Sequence, residues 1–117
     1  PAPSLACKSW NLTTNAVESP TQRLIDGVEA LQVQYGIDSN TAIGPPSGAN
    51  RYVSADRVSD WEKVVSVRIA VLATSIDPVT PPPTQRNFYL LDAAPLAPAD
   101  NLARQIFTTT INFKNLR

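Results

Sequence analysis

The stretch Val64-Val65-Ser66-Val67-Arg68-Ile69-Ala70-Val71-Leu72 decides how this chain folds. It is the longest mainly apolar run, rich in β-branched residues and free of Gly and Pro. That composition predicts a strand buried on at least one face. Leu31 to Ile37 alternates apolar and polar residues, and Phe107 to Phe113 does so less strictly. Three such strands with long connections predict a mostly antiparallel sheet, with Val65, Val67, Ile69 and Val71 as the inner row of its central strand. A charge placed at Val67 or Ile69 would then prevent folding.

The 117 residues suffice for one domain and one core. Ten basic and ten acidic residues cancel, which removes the electrostatic pull expected of a nucleic-acid or anionic-membrane binder. There is no His, so the usual neutral-pH acid/base group and the commonest metal ligand are both missing. Arg23, Arg51, Arg57, Arg68, Arg86 and Arg104 are dispersed and the four glycines scattered, so neither a basic patch nor a phosphate loop forms. Cys7 is the one cysteine. It reads either as a small apolar residue or as half of a disulfide completed elsewhere in an oxidising compartment. A nucleophilic role lacks the His that would activate it. No apolar run reaches the length of a membrane span and no initiator Met opens the chain, so it reads as a fragment of a longer protein.

Along the chain, Lys8 to Leu12 predicts a short strand whose Trp10 fills a core edge. Ser19-Pro20 has the form of a helix start, but Asp26-Gly27 is a strong turn dipeptide feeding a strand from about Val28 to Ile37. Asp38 to Asn50 is loop-like. Asp38-Ser39-Asn40 resembles the opening of a calcium loop, but the further acidic ligands do not follow. Ser54-Ala55-Asp56-Arg57 predicts the start of a short helix over about 55–63, burying Val58, Trp61 and Val65 on one face. Trp61 is expected as a core anchor, because Asp60, Glu62 and Lys63 around it mark a solvated face. Arg68 faces away from the inner row and is expected to pair with a carboxylate on a neighbouring strand. Thr74 to Arg86 is proline-dense and extended, Asn87 to Asp92 predicts a fourth strand, and the last strand spans about Ala103 to Lys114.

Two segments carry a family resemblance. One is Gly27-Val28-Glu29-Ala30-Leu31-Gln32-Val33-Gln34-Tyr35-Gly36-Ile37-Asp38, and the other is Asp60-Trp61 through Val65-Ser66-Val67-Arg68-Ile69. With Asn50-Arg51-Tyr52-Val53, Arg104 to Ile111 and the closing Lys114-Asn115-Leu116-Arg117, their order resembles the C-terminal part of PilW, a minor pilin of type IV pili. More loosely, it is similar to the J-type minor pseudopilin of type II secretion. The resemblance covers residues 24–117, and Lys114 stands where the family pattern has Arg.

The resemblance implies an α+β, pilin-like head dominated by an antiparallel sheet, forming one soluble domain over 1–117. A long apolar N-terminal helix would precede it. The implied function is assembly, as a subunit of a tip or priming complex joining other minor pilins and the major pilin. It would lie in the inner membrane and periplasm first and in the extracellular pilus later. No enzymatic work, cofactor, metal, nucleic acid or small-molecule substrate is implied. The expected structural core is Leu31, Val33, Tyr35, Trp61, Val65, Val67, Ile69 and Phe107, with Arg68 and Arg104 as polar partners on their strands. The rival readings are the pseudopilin role and a surface-binding adhesin using Phe88 and Tyr89. A hydrolase is disfavoured by the missing His.

Overall fold

The computed structural model describes residues 3–39 and 48–113. Strands β1 (Ser4–Asn11) and β2 (Ala16–Asp26) form a two-stranded antiparallel ribbon. Strands β3 (Val28–Ile37), β4 (Arg51–Val53), β5 (Val64–Thr74) and β6 (Arg104–Asn112) form a second antiparallel sheet in the order β4-β3-β5-β6. The chain is therefore β-rich rather than α+β among the described residues. The helix expected over 55–63 is replaced by two short 3-10 turns, Ala55–Arg57 and Trp61–Lys63. The Ser54 hydroxyl bonds the Asp56 carboxylate instead of capping backbone N–H groups. Val58, extended at φ −80° and ψ 111°, ends the first turn at once.

The ribbon is longer than the short strand expected around Lys8. Its turn is built by Asn11, whose side-chain oxygen accepts from the backbone N–H groups of Thr13 and Thr14 at 2.9 and 3.1 Å. Pro20 is accommodated in β2 because an outer strand can spare an N–H. Trp10 does not fill a core edge: it is exposed and sits opposite Val17 on the ribbon. The radius of gyration is 18.0 Å, against about 13 Å for a compact chain of this length, because the ribbon projects from the second sheet.

Gly27 joins the two sheets. Its N–H donates to the Pro3 carbonyl at 2.8 Å and its carbonyl accepts from Thr74 at 2.7 Å. With φ at +88° and the Thr74 oxygen 2.8 Å from where a Cβ would stand, no other residue fits without strain.

The expected inner row is corrected by the packing. The buried cluster is Ala70, Leu72, Phe88 and Leu90, with Ala30, Leu91, Ala93 and Ile106 against it. Ala30, Leu72 and Ile106 lie side by side across β3, β5 and β6. The core is thus on the even-numbered face of β5, opposite the row expected inside. It is closed by residues 86–96, which cross that face. Asn87 to Asp92 forms no fourth strand; a single bridge between Phe88 and Leu96 turns the segment back, with bonds of 2.7 and 2.9 Å. Small side chains at Ala70 and Ala30 leave the depression that Phe88 and Leu90 fill.

The other end of this face is closed by Tyr52, whose hydroxyl lies 3.1 Å from the Ser66 hydroxyl. A Cβ on Gly36 would collide with Ser66 Oγ and stand 2.8 Å from both Ala49 Cβ and Tyr52 Cε1. Gly36→Ala should therefore lower stability by about 1–3 kcal/mol, read by urea unfolding. A variant as stable as the parent would show that Tyr52 does not pin this corner.

Candidate functional site

The alternation of β3, β5 and β6 sends their other side chains to the opposite face of the sheet. Leu31, Val33 and Tyr35 stand directly across from Val71, Ile69 and Val67. Those three stand across from Phe107, Thr109 and Ile111. The result is a grid of three strands by three positions in which only Thr109 is polar. Tyr35 also meets Trp61 edge to face at 4.9 Å between ring centroids, which extends the apolar surface past the end of the strands.

This face is not a core among the described residues. Leu31 is 49 % exposed, Phe107 53 %, Ile111 48 % and Trp61 54 %. Val33, Tyr35, Val67 and Ile69 are only partly buried, screened by their neighbours in the sheet, while Val65 is buried. Leu31, Trp61 and Phe107 are thus corrected from core to surface. The periodicity that marks them as one row is present, but the segment that covers the sheet lies on the other side. The grid measures about 13 Å along the strands and about 10 Å across them from strand geometry alone. A single α-helix, 10–12 Å wide, matches that width.

Arg68 points away from this row, and no carboxylate pairs with it among the described residues. Its neighbours across the sheet are Gln34 and Thr110, and its guanidinium stacks over the Tyr52 ring at 3.7 Å. Arg104 is the charged centre of the sheet. Its side chain is 5 % exposed and makes two bonds to each of two carboxylates. Nε and Nη2 donate to Glu29 at 2.6 and 3.1 Å, and Nη1 and Nη2 donate to Asp100 at 2.6 and 2.8 Å. The cluster ties β3, β6 and the loop before β6 together. Asp100 lies four residues from Arg104 and is legible in the sequence; Glu29 lies 75 residues away and is not.

The Arg104 hydrogen bond, aided by the Leu102 N–H, lowers the Asp100 carboxyl to about 2 from 3.8. A carboxyl depressed by folding adds stability that is complete above its unfolded value and fades as pH falls through the folded one. The melting-temperature gap between the parent and Asp100→Asn should therefore be constant above pH about 4 and narrow towards pH about 2. A gap unchanged down to pH 2 would show that the pair adds nothing.

Other candidate features are modest. A cleft of about 240 Å³ is lined by Arg86, Phe88, Pro98, Asp100 and Arg104 among others. Arg86 lies over the Phe88 ring at 4.6 Å. Phe88 is buried in the core, so of the two aromatics expected for an adhesin only Tyr89 is exposed. No group of three metal-ligating side chains occurs among the described residues. The calcium-like stretch reaches residue 40, outside the described residues. Cys7 is exposed and free.

A family model, the type IV pilus-assembly protein W, matches residues 2–115. The chain belongs to the PilW family. The match begins ahead of the ribbon, so β1 and β2 are part of the family pattern although their residues suggest no relative when read alone. No curated protein and no solved structure matches the chain. PilW is a pilus-assembly family, structural rather than catalytic. The Leu31/Val67/Phe107 face is the candidate site that the exposed apolar side chains of this PilW chain mark out among the described residues. No helix among the described residues is long and apolar enough to cross a membrane.

Proposed function

We propose that this chain is the head of a minor pilin, a structural subunit of a complex that promotes type IV pilus assembly. Its partners on this reading are other minor pilins and the major pilin. The full-length protein starts in the inner membrane on an apolar helix and passes into the extracellular pilus. The observation that supports this reading is the uncovered grid of Leu31, Val33, Tyr35, Val67, Ile69, Val71, Phe107 and Ile111. Large apolar patches on a soluble monomer mark interaction sites, and a sheet with two apolar faces calls for a layer on each.

One helix laid along the strands would complete the second layer. The same helix anchors the subunit and brings heads together at high effective concentration, so weak head-to-head contacts suffice once it is present. Salt has little effect on those contacts, because the chain is neutral overall and the buried Arg104 side chain is already paired. Deleting the parent gene should remove surface pili. The full-length gene should restore them and the head alone should not. Normal pilus number and length in the deletion strain would contradict the proposal.

A further inference from the structure

The four-stranded sheet has two edges, and they differ. One is made of β4, three residues long with exposed Arg51, and of residues 28–34 of β3, which β4 leaves unpaired and which carry exposed Glu29. The ribbon, too, interrupts its edges, with two register shifts, Pro20 in β2, and the charges Lys8, Glu18 and Arg23. Such features are how proteins discourage strand pairing at open edges. Beyond its first residue, Arg104, β6 has none of them. It pairs with β5 over nine residues without a register shift, and from Gln105 to Phe113 it contains no charge, Pro or Gly. No described strand lies on its outer side.

The hydrogen-bond parity of this edge is fixed. Phe113 donates to Val65 and Ser75 donates to Ala103, so odd-numbered β6 residues direct their N–H and C=O towards β5. Even-numbered residues, including Ile106, Thr108, Thr110 and Asn112, direct theirs outward. Around Thr109 the sequence has the same character in both directions, Phe-Thr-Thr-Thr-Ile.

We propose that β6 pairs antiparallel with β6 of a second copy, about a two-fold axis at Thr109. In that register Thr108 faces Thr110 of the copy and Ile106 faces Asn112. These are even–even pairs, and each exchanges two backbone bonds. Phe107 meets Ile111 on the apolar side, and Thr109 faces itself in a pair without backbone bonds. Thr–Thr and aromatic–β-branched pairs are favourable across strands, and no like charges oppose each other between residues 105 and 113. The sequence of β6 is thus its own complement, which is why the occupant is a second copy rather than an unrelated strand. The inference rests on this edge alone and stands or falls separately from the pilus reading.

The test is light scattering on the purified chain across a concentration series, with variants chosen by parity. The parent should pass from monomer to dimer as concentration rises. Thr109→Lys sets two ammonium groups against each other on the axis and should leave monomer. Thr110→Pro removes an outward N–H and no bond to β5, so it should melt cooperatively like the parent yet remain monomeric. Under mild oxidation Cys7→Ser/Thr109→Cys should form a disulfide-linked dimer, whereas Cys7→Ser/Gln105→Cys, far from the axis, should not. A chain that stays monomeric at every concentration would overturn the proposal. So would a dimer that survives both Thr109→Lys and Thr110→Pro, since it would then form through another surface.

Discussion

Leu72→Asp should unfold this chain, while Leu31→Asp, one strand away on the other face, should leave it folded. Leu72 is 0 % exposed and packed in the cluster with Ala70, Phe88 and Leu90. An unpaired charge there costs several kcal/mol, set against a total stability of about 5–15 kcal/mol. The milder Leu72→Ala should still cost about 2–5 kcal/mol, since residues 86–96 cannot collapse fully onto the void. Leu31 is 49 % exposed, so its replacement keeps the new carboxylate in water and should change stability by about 1 kcal/mol or less. Val67→Asp, which the sequence pattern marks as fatal, should remain soluble and melt cooperatively at a lower temperature. Thermal melts of the four variants decide the matter. A folded Leu72→Asp or an unfolded Leu31→Asp would reverse the assignment of the two faces.

The second large effect is on assembly. In the full-length gene, Leu31→Asp/Phe107→Asp should abolish surface pili although the head retains its fold. The two positions flank the central strand, on β3 and β6, so a helix lying along β5 contacts both. Under the proposed helix, two buried carboxylates would cost several kcal/mol each, enough to displace that helix from the sheet. Tyr89→Ser, an exposed aromatic on the opposite side of the molecule, should have no such effect. Counting pili by electron microscopy in complemented deletion strains provides the readout. Normal piliation with the double variant would separate this face from assembly.

Strand positions were largely legible in the sequence, and face assignment was not. Alternation places Leu31, Val33 and Tyr35 on one row of β3 and identifies β5 as the central strand, and both follow from the period of two. The period does not say which row is covered. On β5 the row of Val65, Val67, Ile69 and Val71 is the bulkier, and bulk suggested the interior. The covered row instead pairs Leu72 with the small Ala70, because the cover is a non-strand segment whose Phe88 and Leu90 need room. Asn87 to Asp92 has strand-like composition, but it forms one bridge and turns at Leu91, which has a φ of 52°. Ribbon length was obscured by Pro20, which reads as a helix start in isolation. The Asn11 to Asn15 turn was the signal that would have revealed it, since both residues suit tight reversals. Arg104 stood out as a strand cation, but its partner Glu29 is brought to it only by the tertiary fold.

The central claim is that the Leu31/Val67/Phe107 face is open in the isolated head and covered in the assembled protein. Thiol labelling at Leu31→Cys and Phe107→Cys, in a Cys7→Ser background, tests it directly. Both sites should react quickly in the purified head and be strongly protected in full-length protein within intact pili, with exposed Tyr89→Cys on the other face as a reference site for labelling. Equal labelling of Leu31→Cys and Phe107→Cys in the two states would contradict the account.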